Sequence, residues 1–168
     1  MILTVFRHGE AADAASDYAR RLTARGERDV ECAGQALATA CRQRELPPPD
    51  TLYSSPWIRT MATADILSST LQTPLAEAVD ALQPGVTANS VETWLQPRFP
   101  AVVSAPGHIL IVSHQPLVSR LISRWLDDAG RVPALSPGAF ATLEMDIPAQ
   151  GAARLLFRAS PPDCEPSL

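Results

Sequence analysis

Short apolar runs rich in β-branched residues alternate with amphipathic stretches along this chain, and this alternation limits the fold more than any other feature of the sequence. Residues 109–112 form the clearest run, because all four are apolar, as in a central parallel strand that is buried on both faces. Strands that alternate with helices build β-α units around a mostly parallel sheet. The sequence therefore predicts an α/β fold.

The predicted elements fill most of the chain. Thr23 has the position of a helix N-cap, and Ser55 with Pro56 resembles the start of a second helix, because proline favours the first helical position. A chain of 168 residues has room for one domain of ordinary size, so we predict a single domain over residues 1–160 and a loose tail over residues 161–168. Strands are predicted at residues 2–6, 52–54, about 75–79, 109–113, 140–145 and 155–157, with a short helix at 90–95 and a longer one from Pro116.

The composition excludes several classes of function. The net charge of −4, without a polybasic segment, argues against nucleic-acid and membrane partners. All basic residues are arginine, so mechanisms that need a lysine, such as a Schiff base or a P-loop, are excluded. The three cysteines, Cys32, Cys41 and Cys164, form no C-x-x-C pair, which predicts free thiols and no metal site. Without a signal peptide or a long apolar segment, we expect a cytoplasmic protein.

Reactive side chains follow three of the predicted strands. Arg7 and His8 come directly after the first strand, Arg59 falls in the first turn of the helix after the second strand, and His114 follows residues 109–113. Ligands of open α/β sheets bind at the carboxyl ends of the strands, so we expect these side chains at one edge of the sheet. A single histidine there is usually a capping or solvated residue, but two histidines with two arginines indicate a site.

The chemistry of these residues favours phosphate. Arginine forks match phosphate oxygens, and a histidine can act as a nucleophile while a second one stabilises charge. Gly9 would let the backbone approach the anion closely, and the helix start at Ser55 would offer free N–H groups to it. The sequence has no Asp-rich magnesium cluster and no glycine-rich phosphate loop, so we expect a reaction without metal or cofactor. His108 begins its strand at the opposite edge, where we expect a structural residue that meets solvent.

Four segments resemble, in order, the motifs of the histidine phosphatase superfamily, which includes the cofactor-dependent phosphoglycerate mutases. They are FRHGEA at 6–11, LTARG at 22–26, SPWIRT at 55–60 and VSHQP at 112–116. Within that superfamily the short length and the segments 6–23 and 111–122 are similar to phosphohistidine phosphatases of the SixA type, and the resemblance extends from residue 1 to about 160. It implies a phosphoglycerate mutase-like three-layer sandwich, with a mostly parallel central sheet flanked by helices.

The resemblance also implies a role for each matching residue. His8 would be the phosphorylated nucleophile, Arg7 and Arg59 would clamp the phosphoryl oxygens, His114 would hydrogen-bond them, and Arg20 would be an additional phosphate contact. The substrates would be phosphorylated histidines on proteins, namely the histidine-containing phosphotransfer domain of a two-component relay or a phosphocarrier of sugar transport. The resemblance therefore predicts a protein phosphohistidine phosphatase that forms a phosphohistidine intermediate.

The sequence departs from the superfamily pattern at the general acid. Ala81 stands where many members carry a glutamate, with Glu77 and Asp80 as the carboxylates close by in sequence. Alkyl phosphates need an acid, which contributes roughly two to four orders of magnitude in rate. An imidazole, whose conjugate acid has a pKa of about 6.5, leaves without one. The missing acid therefore favours a phosphohistidine substrate, although Glu10 or Asp80 could still supply a proton.

Two other functions stay open at this point. One is a binding module that keeps the phosphate pocket but turns over negligibly; the complete set of Arg7, His8, Arg59 and His114 argues against it, because a pure binder needs no nucleophile. The other is a small-molecule phosphatase or mutase, which the short chain and the missing acid disfavour. Turnover of an aryl phosphate distinguishes the first of these from a phosphatase, and phosphohistidine compared with phosphoserine distinguishes the second.

Overall fold

The computed structural model describes residues 1–99 and 107–168, so part of the predicted domain, residues 100–106, lies outside the described residues. Within the described residues, four helices pack around a sheet of six strands. The strands are β1 (Ile2–Arg7), β2 (Thr51–Ser54), β3 (Glu77–Ala78), β4 (His108–Ser113), β5 (Phe140–Met145) and β6 (Ala153–Ala159). The helices are α1 (Ala24–Gln43), α2 (Ile58–Leu71), α3 (Ala88–Leu95) and α4 (Leu117–Leu126), and short 3₁₀ turns cover Asp80–Leu82 and Gln96–Arg98.

The strands lie in the order β3-β2-β4-β1-β5-β6. The first four of these are mutually parallel, whereas β5 pairs antiparallel with β1 and β6 pairs antiparallel with β5. The predicted α/β fold with a mostly parallel central sheet is therefore confirmed. Because β1, β2 and β4 are parallel neighbours, their carboxyl ends meet at one edge of the sheet.

The core lies on both faces of the sheet, as the apolar run at residues 109–112 predicts. All six residues of β4 are buried, and alternate side chains join different clusters. Ile109 and Ile111 pack in a cluster with the inner residues of α3 and α4, while Leu110 and Val112 pack in a cluster with those of α1 and α2. The result is the predicted three-layer arrangement of helices, sheet and helices.

The second helix begins later than predicted. Its N-cap is Trp57 rather than Ser55, because the backbone N–H of Ser55 donates to the Val112 carbonyl oxygen at 3.0 Å and so continues the parallel pairing beyond β2. The Ser55 carbonyl oxygen in turn accepts a hydrogen bond from the Thr60 hydroxyl at 2.8 Å. Ser55 is therefore a buried link between strand and helix, and the predicted cap at Ser55-Pro56 is wrong.

Two further predictions, about His108 and about the C-terminal tail, are corrected by the structure. His108 does not meet solvent: it is fully buried, with its ring nitrogens within hydrogen-bonding distance of the Pro47 carbonyl oxygen (2.9 Å) and the Thr4 hydroxyl (2.8 Å). The tail is not loose, because Ser167 exchanges two backbone hydrogen bonds with Arg158 of β6 and Cys164 is buried. Among the described residues, no helix has the length and apolar character needed to span a bilayer.

Candidate active site

The carboxyl ends of β1, β2 and β4 bring the predicted residues together. His8 follows β1, Arg59 lies in the first turn of α2, and His114 follows β4. They border a pocket of about 300 Å³. Its lining residues are Arg7, His8, Glu10, Ala11, Asp17, Arg20, Arg59, Pro84, His114, Gln115 and Pro137. The predicted side chains Arg7, His8, Arg20, Arg59 and His114 all line this pocket, whereas Gly9 and the predicted helix start at Ser55 do not.

His8 is held in one tautomer, with its lone pair at Nε2. Its Nδ1 lies 2.7 Å from the Gly9 carbonyl oxygen, which can only accept, so Nδ1 carries the proton. Nε2 accepts a hydrogen bond from Nε of Arg59 at 3.1 Å. Burial lowers the pKa of His8 to about 4, against the stabilising hydrogen bond to Gly9, and the positive charges of the neighbouring arginines lower it further. At neutral pH the ring is neutral, which is the state that a nucleophile needs.

Arg59 forms hydrogen bonds with three other residues that line the pocket, His8, Asp17 and His114. Its buried guanidinium donates Nε to His8, reaches Nδ1 of His114 with Nη2 at 3.1 Å, and donates Nη1 to the carbonyl oxygen of Asp17 at 2.6 Å. Its flat face lies against the ring of Trp57, 4.7 Å from the ring centroid. These contacts fix the arginine fork beside the His8 lone pair, where it can hold an anion that reacts with His8.

His114 is fixed by partners on both ring nitrogens. Because Arg59 can only donate, Nδ1 of His114 accepts, so its Nε2 carries the proton and donates to the buried hydroxyl of Ser55 at 2.9 Å. Burial first, then His8 and Arg59, lower the pKa of His114 to about 3. Both histidines at this edge are therefore neutral at neutral pH, with ring centroids 5.2 Å apart.

Arg7 and Arg20 supply further positive charge. Arg7 donates Nη1 to the Leu135 carbonyl oxygen at 2.8 Å, and burial together with the charge of Arg59 lowers its pKa. Arg20 lies nearer the rim, where it donates Nε and Nη2 to the carbonyl oxygens of Ala12 and Ala11. Arg7 is half-buried and lies near the buried Arg59, so the two positive charges repel each other and are partly desolvated. A bound anion would offset this unfavourable energy.

Gly9 has a different role from the one predicted. Its backbone N–H donates to the Thr63 hydroxyl at 3.1 Å, and a Cβ atom at Gly9 would lie 2.8 Å from both the Gly26 carbonyl oxygen and a methyl group of Val30. Gly9 is therefore needed for close packing of the β1 exit against α1. The structure does not place it on the pocket wall.

Of the three carboxylates considered in the sequence, Glu10 lines the pocket, whereas Glu77 and Asp80 do not. Asp80 and Glu77 are exposed and do not line the pocket, and Asp80 accepts a hydrogen bond from Gln83. Glu10 lines the pocket, but its Oε1 accepts from the Thr23 hydroxyl at 2.9 Å. Sequence reasoning missed Asp17, because it stands in a loop of small residues without a recognisable pattern. No group of three or more metal-ligating side chains occurs within 1–99 and 107–168.

Comparisons with known proteins agree with this geometry. The family model described as histidine phosphatase superfamily (branch 1) matches residues 3–83. An uncharacterized protein of Picosynechococcus sp. (strain ATCC 27264 / PCC 7002 / PR-6) is 33% identical over 120 residues, which are 69% of this chain and 67% of that protein.

Solved structures are similar over almost the whole chain. The protein histidine phosphatase SixA complexed with tungstate superposes with a TM-score of 0.77 at 27% identity, over 96% of this chain and 97% of that one. The putative phosphohistidine phosphatase SixA from Agrobacterium tumefaciens gives a TM-score of 0.74 over 95% of this chain and 97% of that one. Its identity of 18% supports a shared fold only.

Proposed function

Because this chain belongs to the histidine phosphatase superfamily, we propose that it hydrolyses phosphorylated histidine on a partner protein, by way of a phosphohistidine at its own His8. The observation that carries the proposal is the neutral His8, whose Nε2 lone pair lies 3.1 Å from the Nε of Arg59. A phosphoryl group bound to Arg59 would lie directly beside this nitrogen. SixA, which is similar over 96% of this chain, binds tungstate, a tetrahedral oxyanion like phosphate.

In the first step, His8 Nε2 attacks the phosphorus atom while the bond to the leaving group breaks. Arg7 and Arg59 balance the negative charge of the phosphoryl oxygens. His114 contributes indirectly, because its Nδ1 accepts a hydrogen bond from Arg59 and helps to position that guanidinium. Its own Nε2–H donates to the hydroxyl of Ser55. The proton on His8 Nδ1 stays on that nitrogen throughout and is donated in a hydrogen bond to the Gly9 carbonyl oxygen, so no base is needed to activate the nucleophile.

In the second step, water attacks the phosphorus of the phosphorylated His8 and the P–N bond breaks, with its electron pair returning to Nε2. The imidazole leaves as a neutral ring because Nδ1 still carries its proton, which the Gly9 carbonyl oxygen accepts in a hydrogen bond. The proton of the attacking water passes to the released phosphate. The chain's own residues therefore support both transfers without a strong general acid.

The surroundings of the pocket favour a protein substrate. Asp17, which lines the pocket, and the neighbouring Tyr18 are each about half exposed, and both lie on the connection between β1 and α1, which contains no helix or strand. A phosphohistidine side chain projecting from another protein could enter from this side. We propose a histidine phosphotransfer domain or a phosphocarrier as the partner, in signal transduction or sugar transport, and a cytoplasmic location.

The choice of substrate can be tested with a series of leaving groups. We expect phosphohistidine peptide and nitrophenyl-type phosphates to be hydrolysed, and phosphoserine peptide to be nearly inert, because the pocket offers charge stabilisation but little proton transfer. Asp80→Asn is the matched control, and it should leave all rates unchanged because Asp80 lies outside the pocket.

Two results would contradict parts of the proposal. Equal rates on phosphoserine and phosphohistidine peptides would mean that an acid acts in the pocket, with Glu10→Gln as the first variant to examine. Tight binding of phosphate with no turnover of any phosphohistidine or aryl substrate would favour the binding module instead.

A further inference from the structure

Asp17 is the only pocket-lining carboxylate that pairs with Arg59 among the residues that the structure describes. Its Oδ2 lies 3.2 Å from Nη2 of Arg59, and its Oδ1 lies 3.3 Å from Nη1 of Arg20. The hydrogen bonds and charges of these two arginines lower the pKa of Asp17, although its partial burial acts in the opposite direction. A carboxylate has about four lone-pair sites, so an ionised Asp17 can accept further hydrogen bonds.

The leaving group of the proposed reaction needs a partner for its own proton. An imidazole leaves as a neutral ring only when its second nitrogen, the one not bonded to phosphorus, carries a hydrogen; otherwise it departs as a strongly basic anion. For His8 the Gly9 carbonyl oxygen holds the corresponding hydrogen in place. The ring of the incoming phosphohistidine requires an equivalent acceptor on the opposite side of the phosphoryl group.

Asp17 is at the right place for this acceptor. The leaving ring must lie in line with His8 across the phosphorus. The Asp17 side chain lines the same pocket, is 56% exposed, and pairs with Arg59, which contacts His8. The neighbouring Tyr18 packs edge-on against Trp57, with ring centroids 5.8 Å apart, and Trp57 packs against His114. Aromatic side chains beside a carboxylate suit a flat, positively charged ring.

We propose that the Asp17 carboxylate accepts the ring N–H of the substrate phosphohistidine, and so selects imidazole as the leaving group. This inference rests on the proposed function. The substrate ring binds in its protonated form, with a hydrogen from solvent on the nitrogen that is not bonded to phosphorus. The P–N bond of the substrate then breaks with its electron pair on the leaving nitrogen, the new P–N bond forms at His8, and the ring hydrogen stays on the other nitrogen, which donates it in a hydrogen bond to Asp17. A nearby carboxylate favours the protonated ring, which is the better leaving group.

The test compares two small substrates that both carry a flat ring. Phosphoimidazole can present a ring N–H, whereas p-nitrophenyl phosphate cannot, so their ratio of kcat/KM isolates the contact with Asp17 from any general weakening of the site. Asp17→Asn should lower this ratio, phosphoimidazole over p-nitrophenyl phosphate, by about tenfold or more. Asp13→Asn is the matched control, because Asp13 is an exposed carboxylate on the same loop that does not line the pocket, and it should keep the ratio within about twofold.

A lower ratio in Asp17→Asn supports the proposal, and the other outcomes overturn it. If Asp17→Asn lowers both activities by the same factor, Asp17 acts only by holding Arg59, and the proposal is overturned; an unchanged ratio with unchanged rates overturns it as well. A wild-type protein that hydrolyses p-nitrophenyl phosphate but not phosphoimidazole would contradict the proposed function itself, which is a different result from an unchanged ratio in the variant.

Discussion

Arg59 donates its Nε–H to Nε2 of His8 over 3.1 Å, so the side chain that we propose as the anion ligand also orients the proposed nucleophile. This bond requires a neutral His8 with its lone pair at Nε2, and the burial that lowers the His8 pKa maintains that state. The arginine and the histidine come from different elements, the start of α2 and the end of β1. Their contact therefore depends on the parallel pairing of β1 and β2 with β4 between them.

The first prediction concerns the shape of the Arg59 fork. Arg59→Lys keeps the charge but cannot reach His8, His114 and Asp17 at once, so we expect inorganic phosphate and vanadate to bind on the order of 10- to 100-fold more weakly. This corresponds to one charge-assisted hydrogen bond of about 1.5–3 kcal/mol. Calorimetric titration with each anion measures the change. Arg28→Lys, on the exposed face of α1, is the control and should bind as the parent does. Undiminished affinity in Arg59→Lys would remove Arg59 from the anion site.

The second prediction concerns the packing that supports the β1 exit. A Cβ atom at Gly26 would lie 2.2 Å from the backbone oxygen of Glu10, so Gly26→Ala must displace the loop that follows His8. We expect a loss of about 1–3 kcal/mol in unfolding free energy, as for other overpacked sites, together with reduced turnover. Urea unfolding and aryl phosphate hydrolysis measure the two effects.

Gly34→Ala is the matched control for this change. It lies on the same helix, but its Cβ would meet side-chain atoms of Thr70 and Leu67 at 3.1 and 3.2 Å, which can move, and alanine is the better helix former. A smaller effect is expected there, with turnover preserved. If both variants behaved alike, the contact between Gly26 and Glu10 would not be important for the active site.

The third prediction is a pH dependence of stability from His108. Burial lowers the pKa of His108 to about 4, although the Pro47 carbonyl oxygen and Asp50 act in the opposite direction. Between about pH 6.5 and pH 4 the unfolded chain therefore binds a proton that the folded chain does not, so stability falls as the pH falls. For this residue the loss between pH 7 and pH 5 is on the order of 2 kcal/mol.

Replacement of His108 by asparagine isolates this contribution. His108→Asn is expected to be less stable than the parent at pH 7, because the contacts with Thr4 and Pro47 are disturbed. Its unfolding free energy should, however, fall less between pH 7 and pH 5, while His8 and His114 still contribute in the same direction. Urea unfolding at both pH values gives the two slopes, and parallel slopes in parent and variant would disprove the role of His108.

The strands and the main site residues could be predicted because their signals are local. A four-residue apolar run identifies β4. Arg7 ends β1, and His8 and His114 directly follow β1 and β4, which places all three at the carboxyl edge of any parallel sheet. Arg59 was expected in the first helical turn after the second strand, and the family resemblance added Arg20. These inferences need no knowledge of which residues meet across the fold.

The features that were wrong or missed depend on distant partners. The backbone N–H of Ser55 donates to the carbonyl oxygen of Val112. The buried ring of His108 lies within hydrogen-bonding distance of the hydroxyl of Thr4, which is more than one hundred residues away in sequence. Ser167 pairs with Arg158 across the turn of the tail. Asp17 owes its place in the pocket to two arginines, one of them on α2. Hydrophobic periodicity and capping patterns contain no information about such pairings.

The central claim is that His8 is phosphorylated during turnover, and rapid quenching tests it most directly. The protein is mixed with a labelled phosphohistidine protein, the reaction is stopped within the first turnovers, and the phosphate on the protein is located by peptide mapping. We predict acid-labile, base-stable phosphate on His8, together with a folded but inactive His8→Ala variant. Wild-type turnover by His8→Ala, or phosphate release with no label on His8 at any time, would contradict the account.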